Sequence, residues 1–483
     1  MTTKEYIELL FKSKGIIVPS NLITKFQEFV DDTSNVESVK IILEHQMGLL
    51  KSWKIKNRIV DITNQQIIIP NALMGDSYNA KIDIEKFNLK DLIISDIEGL
   101  TDTGLKFDAA SLVIEGTPIL SGDFKLKLLY RLQDEAEDSV LNEKIIPLLV
   151  MVDPKTLWKN LPSNKDDIYW KEDNVSVSDK LGAKTIVVSS KRGRSHQNVG
   201  SFRDDDFSFK HFESNGWSIV CVSDGAGSYS LSRKGSQIAC NAVIEYFEAN
   251  LNTENQTNFE LKISEYFKSK DEVLKKEIDG LTAQNLYKAV LFAHNKVKEN
   301  ADALFKSNPV LFNNTKLKEP IDYYHATLVF TLYKKYDFGY VLLTFGVGDC
   351  PVAVMNKEKT ETKMLNWLDV GEFGGGTRFV TQSEIFHSTQ NPMISRFSIN
   401  IVDDFSYLFL MSDGIYDPKF EVEANLEKNE KWLEFLADLE GKNEDNSKID
   451  FNSENKELAN ELSTWMDFWS KGNHDDRTLA VIF

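Results

Sequence analysis

Ile219-Val220-Cys221-Val222-Ser223-Asp224-Gly225-Ala226-Gly227-Ser228 is an apolar run that ends in an acid and two glycines. A short apolar run bounded by small polar residues reads as a buried strand. The Asp-Gly that follows puts a carboxylate at the strand's C-terminal end. A second copy lies far downstream, where Tyr407-Leu408-Phe409-Leu410-Met411 runs into Ser412-Asp413-Gly414. Two buried strands that each deliver one Asp to their rim predict a shared metal site. A single Asp-Gly pair is only a common turn; the recurrence carries the reading.

Further acids stand beside β-like runs at Asp205 and Asp206, at Asp349, and at Asp475 and Asp476. Oxygen-only donors suit magnesium or manganese rather than zinc. Two such ions about 3.5–4 Å apart can share one hydroxide and clamp a phosphoryl group. The runs 185–189, 217–223, 325–332, 340–346, 352–355, 406–411 and 479–483 read as strands. The stretches 234–250, 261–267, 286–297 and 456–470 read as helices. Strands and helices in this mixed order predict an α+β fold.

In this order the residues resemble the type 2C metal-dependent protein phosphatases. The family's Arg followed by Glu/Asp-Asp is similar to the arginine-bearing loop and Asp205-Asp206. Its Asp-Gly-x-Gly matches Asp224-Gly225-Ala226-Gly227, and its Thr-rich strand Ala326-Thr327-Leu328. Its Gly-Asp-Ser appears as Gly348-Asp349-Cys350, its Ser-Asp-Gly as Ser412-Asp413-Gly414, and its terminal Asp-Asn-x-Thr as Asp475-Asp476-Arg477-Thr478. The resemblance covers residues 184–483. It implies a four-layer α-β-β-α sandwich of two antiparallel sheets and a serine/threonine phosphoprotein phosphatase needing two Mg2+ or Mn2+ ions. Asp224 would bridge the ions and the Gly225 carbonyl would complete one shell. Asp206, with Asp205 beside it, would bind one ion, directly or through water, and Asp413 and Asp475 the other. Asp349 would hold a third ion, as in bacterial members. A hydroxide between the metals would attack phosphorus in line.

On the substrate side Arg192, Arg194 and Arg203 all precede the acid triplet Asp204-Asp205-Asp206, any of which can align with the family's acid. The Arg194-Ser195-His196 string favours Arg194 as the phosphate-binding and catalytic arginine, since a planar fork suits phosphate. Arg192 and His196 are further substrate-binding candidates, and His196 can serve as a general acid. The run Gly371–Thr377 is not followed by a P-loop Lys-Ser/Thr, so it reads as a flap beside the site. A phosphoprotein-binding module without strong catalysis is the rival reading, and the retained acids argue against it.

Ahead of this region the sequence divides at three places. Residues 1–56 show helical periodicity, and the stripe Ile42, Leu43, Met47, Leu50 reads as core. Residues 57–132 turn to short β-like runs. There Gly104-Leu105-Lys106-Phe107-Asp108, Ile114-Glu115-Gly116-Thr117-Pro118 and Gly122-Asp123-Phe124 resemble a bacterial immunoglobulin-like module, which implies a β-sandwich used for spacing or adhesion. Residues 133–183 read as a linker or extension.

Composition bounds the partners. With 56 basic against 74 acidic residues the net charge is −18, which excludes non-specific binding to nucleic acid or an anionic membrane. Bound cations can still make the site attractive to phosphate. Cys221, Cys240 and Cys350 form no CxxC pattern and read as buried thiols. Neither an apolar leader nor a spanning run is evident, so the expectation is a cytoplasmic protein acting on phosphoserine or phosphothreonine proteins made by a cognate kinase.

Overall fold

The computed structural model describes residues 1–369, 376–389, 391–470 and 472–483. The flap expected at Gly371–Thr377 falls mostly outside them; only Gly376 and Thr377 are described. The chain divides into two compact units, Met1–Leu157 and Trp158–Phe483.

The first unit opens with helices α1 (Thr3–Ser13), α2 (Ile23–Asp31) and α3 (Thr33–Asn64). A reciprocal cap between Thr2 and Glu5 starts α1, and the Asp32 carboxylate starts α3 by accepting from the Ser34 N–H. Ile7, Val30 and Val39 pack the three together. The expected boundary at residue 56 falls inside α3, whose last turns seat Ile55, Ile59 and Ile62 against Tyr130 and Leu132. The predicted core stripe is corrected: Leu43 packs inward, but Met47 and Leu50 are 65% and 57% exposed. The helix buries different faces along its length, so one periodic stripe cannot serve both ends.

Strands β1 (Ala72–Leu73), β2 (Tyr78–Lys81), β3 (Leu92–Glu98), β4 (Leu105–Asp108), β5 (Val113–Gly116), β6 (Gly122–Leu132) and β7 (Asn142–Met151) follow, then a single turn α4 (Pro154–Leu157). They form a four-stranded sheet in the order β1-β7-β6-β3 and a three-stranded one in the order β2-β5-β4. The sheets share a core of Tyr78, Ala80, Leu105, Ile114, Leu126, Leu128, Ile146 and Leu148. Gly104 and Gly116 are both at positive φ, and a Cβ on either would strike the other strand's backbone, at 2.3 and 2.5 Å. Strand β7 pairs along β6, so the expected linker 133–183 is in part a sheet strand of this unit.

The second unit comprises β8 (Asn174–Leu181), β9 (Lys184–Lys191), α5 (Arg194–Val199), β10 (Asp206–Phe212), β11 (Trp217–Ser223), α6 (Ser232–Asn250), α7 (Glu254–Ser269), α8 (Glu272–Ser307), β12 (Leu328–Tyr336), β13 (Gly339–Val347), β14 (Val352–Asn356), β15 (Thr362–Met364), β16 (Phe397–Val402), β17 (Phe405–Met411), α9 (Asp413–Phe420), α10 (Asn429–Leu439), α11 (Leu458–Trp465) and β18 (Arg477–Ile482). Among the described residues these strands form two sheets, β10-β11-β12-β13-β16 and β15-β14-β17-β18-β9-β8. Neighbouring pairs in both are antiparallel.

Successive side chains of a strand point to opposite faces, and here both faces are covered. Val220 and Val222 meet Ile186, Val188, Leu408 and Leu410 of the other sheet. Their neighbours Ile219 and Cys221 face Ala239, Val243 and Val290 of α6 and α8. Across the second sheet, Val187, Phe409 and Val481 face Trp432, Phe435 and Trp465. Two-sided burial is why the quoted strands read as unbroken apolar runs. No helix of the described residues is long and apolar enough to cross a membrane.

Candidate metal centre

The strand ends bring the acids together. Past the end of β11, the Asp224 N–H donates to Thr327 Oγ1 at 2.8 Å, and the Thr327 N–H donates to the Asp224 carbonyl at 2.8 Å. An isolated bridge then joins Gly225 to Ala326. Past β17, the Ser412 N–H donates to the Thr478 carbonyl and the Thr478 N–H to Ser412 Oγ, each at 2.9 Å. Asp413 therefore opens α9, where a helix N-terminus favours a carboxylate.

The glycine after each aspartate is a close-approach device. A Cβ at Gly225 would lie 2.5 Å from the Asp204 carbonyl oxygen, and one at Gly414 2.0 Å from that of Asp476. Gly193 is likewise pressed against the Asp475 backbone, at 2.3 Å. Backbone contact at these points lets four loops converge.

Asp205 is fully buried; its Oδ2 accepts from the Thr478 hydroxyl at 2.7 Å while its Oδ1 has no partner. Asp349 Oδ2 accepts from the Thr377 hydroxyl at 2.6 Å, and Oδ1 of Asp349 and of Asp413 are also buried and unpartnered. Burial, then the charge of Asp413, pushes Asp224 well above the usual carboxylate range; burial, then Asp475, does the same to Asp413. Burial and the Asp476 charge push Asp205 up to about 7. Asp349 and Asp475 are raised too, first by burial.

Buried acids that raise one another and keep orphaned oxygens form a donor set fitted to hard divalent cations. Ligand atoms of Asp224, Asp349 and Cys350 lie within 4.8 Å of one another. Burial raises the Cys350 thiol, which stays protonated beside Thr327 Oγ1 at 3.3 Å, so it offers no thiolate. The oxygens remain as donors.

Asp476 differs. Its carboxylate accepts from the N–H groups of Gly193 and Asp204 and lies 3.0 Å from His196 Nδ1. Burial acts to raise it, but His196 and the two backbone donors leave it below the ordinary value. It ties the converging loops together at the edge of the cluster, where ligand atoms of His196, Asp475 and Asp476 lie within 4.8 Å of one another. For His196, burial acts downward, yet Asp476 lifts it to about 10. Its Nε2 comes 3.0 Å from where a Cβ of Gly227 would be, so the ring sits against the Asp-Gly-Ala-Gly turn.

Two of the expected site residues have other partners in the structure. Asp206 is not in the cluster: it opens β10 opposite Ser223, and its carboxylate pairs with Lys171 at 3.0 Å. Its neighbour Asp205 faces the acids, because adjacent residues of an extended chain point opposite ways. Arg192 is 4% exposed and is engaged by the Ser201 and Leu161 carbonyls, Asn160 and Asp173. Arg203 is equally enclosed, donating to Glu172 O, Ser190 Oγ and Asp205 O. Arg194 is half-buried, donates to the Phe468 and Asp467 carbonyls and lies over the Trp469 ring. Nothing in the sequence marks Lys171, or a cavity of about 410 Å3 lined by Arg378, His387 and Arg396, among others. Arg378 follows Thr377, the hydroxyl donor to Asp349, and only that proximity marks it.

Residues 192–466 match the family model described as Protein phosphatase 2C. Among solved structures, the chain is similar to the catalytic domain of the serine threonine protein phosphatase PstP in complex with 2 manganese ions. The identity is 14% and the TM-score 0.34, over 62% of this chain and 96% of that one. It is also similar to serine/threonine phosphatase Stp1 from Staphylococcus aureus, at 14% identity and TM-score 0.32, over 65% of this chain and 98% of that one. The S. agalactiae serine/threonine phosphatase gives 12% and 0.35, over 62% and 99%. No curated protein matches the chain. With more than half its length matched, the chain belongs to the protein phosphatase 2C family.

Proposed function

We propose that the chain is a metal-dependent phosphatase of phosphoserine and phosphothreonine proteins. The observation that carries this reading is the set of buried, unpartnered carboxylate oxygens on Asp205, Asp349 and Asp413. Asp224, the Gly225 carbonyl, Asp205, Asp413 and Asp475 would hold two Mg2+ or Mn2+ ions, and Asp349 a third. Bound there, the ions supply hydroxide at neutral pH and neutralise a phosphoryl group.

The chain's own groups do the rest. The Thr478 hydroxyl orients Asp205. His196, raised to about 10 through Asp476 and so protonated at neutral pH, would give a proton to the leaving oxygen. Arg194, half-buried, is the least enclosed of the three predicted arginines, and it would exchange the Phe468 and Asp467 carbonyls for phosphate. The three stacked cores support a four-layer α-β-β-α sandwich for the second unit. The paired sheets of the first unit support an immunoglobulin-like β-sandwich, which we assign to targeting. The setting is cytoplasmic, with a partner kinase writing the phosphate.

The test is para-nitrophenyl phosphate turnover. It requires manganese and is abolished by EDTA and by Asp224→Asn; metal-independent turnover of the pure protein refutes the reading. The enclosure of Arg192 and Arg203 favours a second reading, a weakly catalytic module that binds a phosphoprotein. Calorimetry without manganese binding at neutral pH would select it.

A further inference from the structure

The stretch from Ser163 to Asp173 precedes the residues matched by the family model, 192–466, and reads in sequence as a polar connector. In the structure it is fastened to the acid-bearing loops along its length. Asp167 pairs with Arg233 at 2.6 Å, and the Tyr169 carbonyl accepts from Arg233 Nε at 3.2 Å. The Glu172 carbonyl accepts from Arg203 Nε at 3.1 Å, and the Asp173 carbonyl from the Arg192 N–H at 2.8 Å. At its centre Lys171 is carried inward, its side chain 9% exposed. Its ammonium has three donors. They go to the Asp205 carbonyl at 2.7 Å, to Asp206 Oδ2 at 3.0 Å and to the Arg233 carbonyl at 3.3 Å.

We propose that Lys171 is a positioning residue that selects Asp205, and not Asp206, for the carboxylate cluster. The proposal rests on the metal-site reading above. Two adjacent aspartates of an extended chain present their carboxylates to opposite sides, and a slip of one residue exchanges them. Lys171 acts on both. Its bond to the Asp205 carbonyl, with that of Arg203 Nη1 at 2.6 Å, fixes the peptide from which Asp205 turns inward. Its charge compensates Asp206 on the far side, where Arg203 Nη1 is 4.0 Å from Asp206 Oδ1. Removing the ammonium leaves Asp206 a half-buried charge short of its close partner, so the arrangement with Asp206 inward gains on the native one. The stretch at 163–173 is by this argument part of the active-site machinery, although it lies outside the matched residues.

The experiment titrates the metal-free full chain with Mn2+, reading free Mn2+ by electron paramagnetic resonance, alongside thermal melting. Asp205→Asn tests the underlying reading: unchanged Mn2+ binding in that variant rejects the ligand set itself. With Asp205→Asn weakened, Lys171→Met is expected to bind Mn2+ about 10–100-fold more weakly, the usual cost of losing a group that orients a metal ligand. At saturating Mn2+ its KM for para-nitrophenyl phosphate stays within about twofold of wild type. Lys171→Met/Asp206→Asn removes both charges of the pair and so leaves neither unpaired, which keeps a folded protein available if the single variant does not fold. It too is expected to bind Mn2+ weakly, because the Asp205 carbonyl has lost the Lys171 donor and keeps only that of Arg203. Wild-type Mn2+ affinity in either folded variant overturns the proposal.

Discussion

Gly414→Ala isolates the close approach on which the site depends. A methyl group at Gly414 would sit 2.0 Å from the Asp476 carbonyl oxygen and 2.9 Å from its carbon. Real Cβ contacts essentially never fall below 3.0 Å, so the two loops must part by at least 3.0 − 2.0 = 1.0 Å. The obstruction is backbone and cannot rotate away. Those loops carry Asp413 on one side and Asp475 on the other. Misplacement of about 1 Å costs about 10²-fold in rate, and forced overpacking costs about 1–3 kcal/mol of stability. The assay is manganese-dependent para-nitrophenyl phosphate turnover with a denaturant melt. Gly280→Ala is the control: Gly280 lies within α8 with nothing within 4 Å of the added Cβ. That substitution is expected to leave turnover alone and to stabilise by about 1 kcal/mol. If Gly414→Ala matches wild type in turnover and stability, the convergence of loops through glycine is refuted.

Two further outcomes follow from the same geometry. Asp205 has a folded value raised to about 7, so between its unfolded value of 3.8 and about 7 the metal-free protein loses stability as pH rises. His196, raised from 6.5 to about 10, holds its contribution below 6.5 and surrenders it as pH rises through 10. The contribution of these two groups to metal-free stability therefore declines from mildly acid to alkaline pH. Added Mg2+ should raise the melting temperature more at pH 8 than at pH 5, and equal shifts at both refute the assignment. Truncation separates the units: a chain starting at Trp158 is expected to retain turnover of the small substrate, whereas one starting at Asn174 lacks Lys171 and should lose at least about tenfold. Equal activity of the two would show that 158–173 is only a connector.

Much of the second unit is legible in sequence because its strands are covered on both faces. Trp217–Ser223 reads as a strand and is one, with those bounds. The helix expected at 286–297 is the middle of α8, which runs from Glu272 to Ser307. Its ends are polar and lack the apolar signal that marks its centre. Strands β8 and β16 were not anticipated. They form the outer edges of their sheets and carry a weaker apolar pattern. The joints of the first unit are less legible for a related reason: α3 changes its buried face midway, and β7 takes its place in the sheet by pairing with β6 on one side and β1 on the other.

The site divides the same way. Asp224 and Asp413, each at the end of an apolar run and followed by glycine, were determined by the sequence alone, because strand burial and close backbone approach both leave local marks. Which member of Asp204-Asp205-Asp206 turns inward leaves none. That was decided by Thr478, 273 residues from Asp205, and by Lys171, 34 residues away. The partners of the arginines were likewise decided only in three dimensions, since the enclosed guanidinium groups of Arg192 and Arg203 and the half-buried one of Arg194 are identical in sequence. Local periodicity records which side chains are buried; the direction of a single carboxylate depends on hydrogen bonds from distant parts of the chain, and these exist only once the loops have converged.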